Sequence, residues 1–345
     1  MTLTPEPPAW EASRRAYVSA WRASNTALDT VFYDVGCLAA PERSWLSSYD
    51  SPEGSILVVY PSAAGQPMRS LTPCEFVDEQ MADGGEAVST VVVAGVGSSA
   101  VGTAALARNV ADHLGLPVAG IVSGLGMSDV LSEALGGWLV LGTRNALRDT
   151  FARLFDAWEL KDHVRDPQTH SAVKKRLAAG GIDLDRFIYG SPDSTTLLFL
   201  LAKLGSRLRL LVGHSKGNYS IENALEGWLA LHAKAAINMR YDLSIVTLGA
   251  VIWFPREFSG VHQFIGRIDY FGLLNSRAFI QCTGVPGAWH SLNAAWSGHL
   301  AVKEVLKMMK LTSEGGAGIP ARSTPRAKAA HARSTRKARK VSSLR

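Results

Sequence analysis

Short runs of β-branched and aliphatic residues alternate with helix-period segments along most of this chain, and that alternation restricts its fold more than any other feature. Val88–Ala94 is a compact apolar run, followed by a glycine-rich loop (Gly95-Val96-Gly97-Ser98-Ser99) and a helical pattern from Ala100 to Leu114 that stops at Gly115, with Pro117 just beyond. Val118–Ser123 reads as the next strand. Further strands are expected at Ser55–Tyr60, Arg207–Val212, Asp242–Trp253 and His262–Ile268. Helices are expected at Thr195–Leu204, capped by Asp193 or Ser194 and ended by Gly205, at Ile221–Ala233 and at Ala295–Met309. Strands separated by helices require crossover connections, so the pattern predicts an α/β fold with a mainly parallel sheet and helices on both faces.

Two segments depart from this texture. Residues 126–190 carry more charge on helical patterns and read as a helical cap or lid inserted over the sheet edge, with Trp138, Leu139, Val140 and Leu141 as candidates to line an apolar site or fill the core. From Gly315 to Arg345 there are nine Lys or Arg and no acid, within an Ala/Ser/Thr/Pro background. Such a tail cannot bury enough apolar area to offset its ordering entropy, so disorder is expected over 312–345. The formal net charge of +6 therefore resides in the tail, and the remainder is mildly acidic. Any affinity for a polyanion (nucleic acid, polyphosphate or an anionic surface) belongs to the tail and should be electrostatic and salt-sensitive, because no aromatic residue is present there for stacking. The division expected is 1–85 as an N-terminal helical and strand extension of the core, 86–125 with 191–311 as the core, 126–190 as the cap, and the tail.

Cys37, Cys74 and Cys282 are odd in number, widely spaced and without a CxxC pair, so neither a disulfide framework nor a zinc site is suggested. Neither a signal-peptide pattern nor an uncharged apolar stretch of membrane-spanning length is apparent, and a cytoplasmic location is expected.

The segment Arg207–Val212 runs directly into Gly213-His214-Ser215-Lys216-Gly217, and a helical pattern follows. In a G-x-S-x-G turn the serine sits between strand and helix, the glycines admit close chain approach, and the helix N-terminus faces a developing oxyanion. A simple strand-to-helix turn with a capping serine is the competing reading. Against a dinucleotide fingerprint at Gly95-Val96-Gly97, position 100 is Ala and no acidic residue follows in Val118–Gly124.

Arg207–Gly217 resembles the nucleophile elbow of α/β-hydrolases, and residues 207–295 are most similar to lipase class 3, the fungal-type triacylglycerol lipases. The resembling pieces are the elbow itself, Thr247-Leu248-Gly249, and Gly266-Arg267-Ile268-Asp269-Tyr270-Phe271-Gly272-Leu273-Leu274. Lys216 stands where that family has Leu, Asn218 replaces a small residue, and the proline of the Asp segment is missing. Ala94–Ser99 is similar to the H-G-x-G-S-S loop of general hydrolases, with Ala in place of His.

Ser215 is thus the candidate nucleophile, and the class order Ser, acid, His restricts its partners. Of the histidines after Ser215, His232 falls in a helix, His262 precedes the candidate acid and His331 lies in the tail, which leaves His290 in the loop Val285–Ser291, with His299, read as lying in the last helix, as the alternative. Asp269 ends a predicted strand and is the candidate acid, with Glu257 as fallback; a capping or turn carboxylate is the competing reading of Asp269. The backbone N–H groups of Lys216 and Val96 are the expected oxyanion donors. The Lys216 side chain is expected at the surface, the competing role being a positive charge near the oxyanion. These assignments predict a serine esterase that cleaves small-molecule or lipid esters, polyesters among them by extension of the lipase resemblance, without metal or organic cofactor. Acyl transfer to another acceptor uses the same triad. The alternative is an inactive hydrolase-fold binding protein tethered to nucleic acid or a storage granule by its tail.

Overall fold

The computed structural model describes residues 27–48, 52–82, 87–95, 98–123, 167–179, 191–232 and 243–309. Val96, most of the expected cap 126–190 with Trp138–Leu141, and the basic tail 312–345 lie outside them.

Eight strands form one sheet: β1 (Ile56–Val59), β2 (Arg69–Leu71), β3 (Thr90–Val93), β4 (Val118–Ile121), β5 (Leu210–His214), β6 (Ser244–Leu248), β7 (Val261–Gly266) and β8 (Thr283–Val285). Their spatial order is β2-β1-β4-β3-β5-β6-β7-β8. From β4 to β8 every pairing is parallel, while β1 runs antiparallel to both β2 and β4. The fold is α/β with a mostly parallel sheet.

The helices are α1 (Ala40–Ser48), α2 (Pro73–Met81), α3 (Ala100–Leu114), α4 (Pro167–Ala179), α5 (Pro192–Leu204), α6 (Lys216–His232), α7 (Tyr270–Leu274) and α8 (Val302–Met308). A parallel sheet must be covered on both faces, which is why its strands read as unbroken apolar runs rather than alternating ones. Val91, Val93, Ile121, Leu211 and Ile245 face one core, shared with α2, α4, α5 and α6. Val92, Val118, Val212, Val246 and Leu248 face the other, under α1, α3 and α8. Leu197–Leu201 of α5 are wholly buried because α2, α4 and α6 pack around that helix. Each such side chain contributes about 1.5–3 kcal/mol of transfer free energy. Within the expected cap, α4 lies against α2 and α5, with Val173 and Leu177 buried and Arg176 gripping Asp78 through both carboxylate oxygens (2.8 and 2.9 Å).

Several boundaries differ from expectation. α5 begins at Pro192, whose missing N–H suits the first helical position, and its N-cap is Ser191 rather than Asp193 or Ser194. Gly205–Arg207 is a 3-10 turn, so β5 starts only at Leu210 and extends to His214. The long run 242–253 yields only Ser244–Leu248, and the last helix starts at Val302, not Ala295. His299 therefore precedes that helix, half-buried in a turn, with Nδ1 3.1 Å from the Trp296 carbonyl. α2 has no counterpart among the expected helices, although Thr72 and Glu75 form a capping box with Pro73 behind the cap. Among the described residues no helix is long and apolar enough to cross a membrane.

β3 lies between β4 and β5, so the chain leaves it toward one side for β4 and continues on the other side with β5. In open α/β sheets a crevice forms at such a reversal, beyond the carboxyl ends of the strands. Gly95 follows β3 and Ser215 follows β5, while Asp269 and His290 come after β7 and β8.

Candidate active site

The Ser215 backbone is left-handed, with φ of 51°. For a residue with a side chain this costs about 1–2 kcal/mol. The Ser215 N–H donates to the Leu248 carbonyl at 2.9 Å, which holds the turn against the end of β6. The flanking glycines answer to close packing. A Cβ at Gly217 would lie 2.2 Å from the Val93 carbonyl oxygen, and one at Gly213 would lie 2.4 Å from Asn218 Oδ1. A side chain at Gly217 would push α6 off the end of β3, and one at Gly213 would run from β5 into Asn218 and Ile221 of α6. Asn218, the departure from a small residue, ties α6 to the chain after β6: its amide donates to the carbonyls of Leu248 (3.1 Å) and Ala250 (3.0 Å).

His290 Nε2 lies 3.0 Å from Ser215 Oγ. His290 Nδ1 lies 3.0 and 2.9 Å from the two oxygens of Asp269. A carboxylate only accepts, so Nδ1 carries the proton; the Nε2 lone pair of the neutral ring then accepts from the serine hydroxyl. The three residues are buried, at 4%, 5% and 1% exposure for Ser215, His290 and Asp269, so these bonds act in a medium of low dielectric. Asp269 is also the N-cap of α7, accepting the Gly272 N–H at 2.6 Å. The carboxylate thus has both the capping role and the imidazole contact. Glu257, the fallback acid, is exposed on a turn.

Two aromatic rings flank the imidazole. Phe32 meets it edge-on at 5.8 Å between centroids, and Phe271 is tilted at 6.1 Å. Around Phe271 the surface is apolar: Ile268, Tyr270, Leu273 and Leu274 are about half exposed or more.

Lys216 opens α6, so its amide is one of those that helix geometry leaves without an intrahelical acceptor. Its side chain is not at the surface. It is 12% exposed, and Nζ lies 4.0 Å from Oδ2 of the wholly buried Asp193. Asp193 in turn accepts from Ser220 Oγ at 2.9 Å. The ammonium is therefore directed to a carboxylate of α5.

Asp29 and Tyr33 carry no sequence signal, and His214 is read from the sequence only as part of the Gly213–Gly217 turn. Asp29 accepts from the Ser99 N–H (3.0 Å), the Ser99 hydroxyl and the Gly102 N–H (3.1 Å), at the N-terminus of α3. Burial pushes its carboxyl up to about 7, against the pull of those hydrogen bonds. The Tyr33 hydroxyl accepts the Gly95 N–H at 2.5 Å and lies 2.9 Å from His214 Nδ1. His214 Nε2 lies 3.0 Å from the His290 carbonyl oxygen. Burial, and secondarily the neighbouring His290 ring, hold His214 well below the usual imidazole range, so it is neutral.

No protein family, curated protein or solved structure matches the chain.

Proposed function

We propose that this protein is a serine hydrolase of the α/β-hydrolase class, cleaving carboxylic esters through an acyl-enzyme on Ser215. The observation that carries the proposal is the hydrogen-bonded series Ser215 Oγ, His290 Nε2, His290 Nδ1 and Asp269, at 2.9–3.0 Å, on a left-handed serine at the carboxyl ends of parallel strands. In this reading the Ser215 hydroxyl passes its proton to His290 Nε2 as Oγ bonds to the ester carbonyl carbon. The tetrahedral oxyanion is held by the amide of Lys216, with that of Val96, which lies outside the described residues, as the expected second donor. His290 returns the proton to the departing alkoxide, which leaves as an alcohol. Water, deprotonated by the same nitrogen, then releases the acid and restores Ser215. Asp269 keeps the imidazole in the tautomer that accepts and stabilises it while charged.

An apolar acyl group suits the surroundings, since Phe32 and Phe271 border His290 and the α7 rim is apolar. This supports the lipase-like side of the proposal, with lipid or polyester as substrate. The basic tail would add a salt-sensitive attraction to anionic surfaces.

The test is labelling with a fluorophosphonate, wild type beside Ser215→Ala, followed by a p-nitrophenyl ester series of increasing chain length. Labelling that disappears in the variant, with ester turnover, is expected. A folded wild type that neither labels nor hydrolyses any ester would favour the tethered binding protein instead.

A further inference from the structure

We propose that Tyr33 is a positioning residue for this chemistry: its hydroxyl fixes the Gly95 amide at the carboxyl end of β3 and, through His214, the main chain of His290 on the base side. This rests on reading Ser215, His290 and Asp269 as the catalytic triad.

The hydrogen-bond directions are determined by chemistry. The His290 carbonyl can only accept, so His214 Nε2 carries the proton and donates to it at 3.0 Å. The neutral ring then has an acceptor at Nδ1, which takes the Tyr33 O–H at 2.9 Å. The Tyr33 oxygen in turn accepts the Gly95 N–H at 2.5 Å. One directed chain therefore runs from the Gly95 amide through Tyr33 and His214 to the peptide of His290. Its members are packed tightly. A Cβ at Gly95 would lie 3.0 Å from the Tyr33 hydroxyl and 3.1 Å from Ser215 Cβ, and one at Gly249 would lie 3.1 Å from His290 and 3.2 Å from His214 Nε2.

The neighbours of Tyr33 brace the same two loops. Asp29 holds the Ser99 and Gly102 amides at the far side of the β3–α3 loop. On the base side, Ser291 Oγ donates to the Val31 carbonyl (2.6 Å), Asn293 Nδ2 to that of Thr30 (2.6 Å), and the Leu292 N–H to that of Phe32 (2.8 Å). Residues 29–33 thus form a strap joining the loop that follows β3 to the loop that carries the base. Tyr33 is the point where the strap reaches the hydrogen bonds next to the triad. Displacement of a catalytic group by about 1 Å costs about a hundredfold in rate.

The experiment compares wild type, Tyr33→Phe, Tyr33→Leu, His214→Gln and the Tyr33→Phe/His214→Gln pair on p-nitrophenyl butyrate, with thermal melts alongside. Phenylalanine retains the ring and its packing, so Tyr33→Phe should melt within a few degrees of wild type. Its kcat should nevertheless fall about 10–100-fold while KM moves less than about threefold. The double variant should lose far less than the product of the two single losses, because either change interrupts the same chain. Nitrogen-15 spectra of the wild-type histidines should place His214 in the neutral Nε2–H tautomer.

A Tyr33→Phe variant with kcat within twofold of wild type, with only Tyr33→Leu impaired, would reduce Tyr33 to a packing residue and overturn the proposal. So would an Nδ1–H tautomer at His214. An inactive, unlabelled wild type removes the hydrolase reading and this proposal together; an active wild type with an equally active Tyr33→Phe removes this proposal alone.

Discussion

Under the proposed mechanism, Asp269→Asn separates the orienting role of the carboxylate from its shape. Asp269 faces two donors: the Gly272 N–H at 2.6 Å from Oδ1, and the His290 Nδ1–H at 3.0 Å from Oδ1 and 2.9 Å from Oδ2. An asparagine must direct its oxygen at the Gly272 N–H, since two donors cannot face each other there. Its NH2 group then occupies the place of Oδ2, 2.9 Å from His290 Nδ1. A donor at that distance favours the opposite tautomer, with the proton on Nε2. That nitrogen can no longer accept from Ser215 Oγ, and the hydroxyl loses its base. In Ser-His-Asp enzymes this change lowers kcat by about 10⁴-fold, equivalent to about 5 kcal/mol of transition-state stabilisation. The variant is nearly isosteric and retains the cap on α7, so stability should fall by only about 1 kcal/mol. The assay is kcat/KM on a p-nitrophenyl ester and the fluorophosphonate labelling rate, with circular dichroism as the folding check. A folded variant within about tenfold of wild type would refute the tautomer reasoning and return Asp269 to a capping residue alone.

Two further outcomes are expected. Ser215→Gly removes the left-handed strain of a residue at φ 51° and should stabilise the fold by about 1 kcal/mol while abolishing labelling, as read by urea unfolding; an unchanged or lowered stability would mean that the turn stores no strain. Asp29→Asn should alter how stability depends on pH. Because the folded carboxyl is pushed up to about 7 from 3.8, the folded protein holds a proton that the unfolded chain releases, and wild-type stability should decline as pH rises from about 4 to about 7. At about 1.36 kcal/mol per pH unit the decline is at most about 4 kcal/mol. Asp29→Asn has nothing to ionise there, so its melting temperature should gain on wild type across that window; parallel pH profiles would show that Asp29 is already ionised in the fold.

The central strands are legible because a parallel sheet buried on both faces leaves continuous apolar runs. Val88–Ala94 and Val118–Ser123 contain β3 and β4, and the Gly213–Gly217 spacing marks where β5 turns into α6. Ser215, Asp269 and His290 are candidates through the G-x-S-x-G spacing, the resemblance to hydrolases and the order Ser, acid, His that it implies, and each lies in a turn or loop beyond a predicted strand. What the sequence does not indicate depends on distant partners. Lys216 reads as a surface residue on a first helical turn, but its side chain is only 12% exposed and its Nζ lies 4.0 Å from Asp193, which α5 supplies. The expected helix from Ala295 begins at Val302 because residues before it bond elsewhere: the Trp289 N–H to the Gly298 carbonyl, the Leu300 N–H to that of Ser291. Gly298, with φ of 75°, makes the turn between them.

The sequence by itself therefore determined the class of the fold and the order of its candidate chemical groups, since apolar runs and turn residues act on their near neighbours. Only the tertiary structure decided how those groups are held. Tyr33 is 62 residues from Gly95 and 181 from His214, and Asp29 is 70 from Ser99. Hydrogen bonds across such separations leave no periodicity or spacing behind, because they depend on where the completed sheet brings its loops.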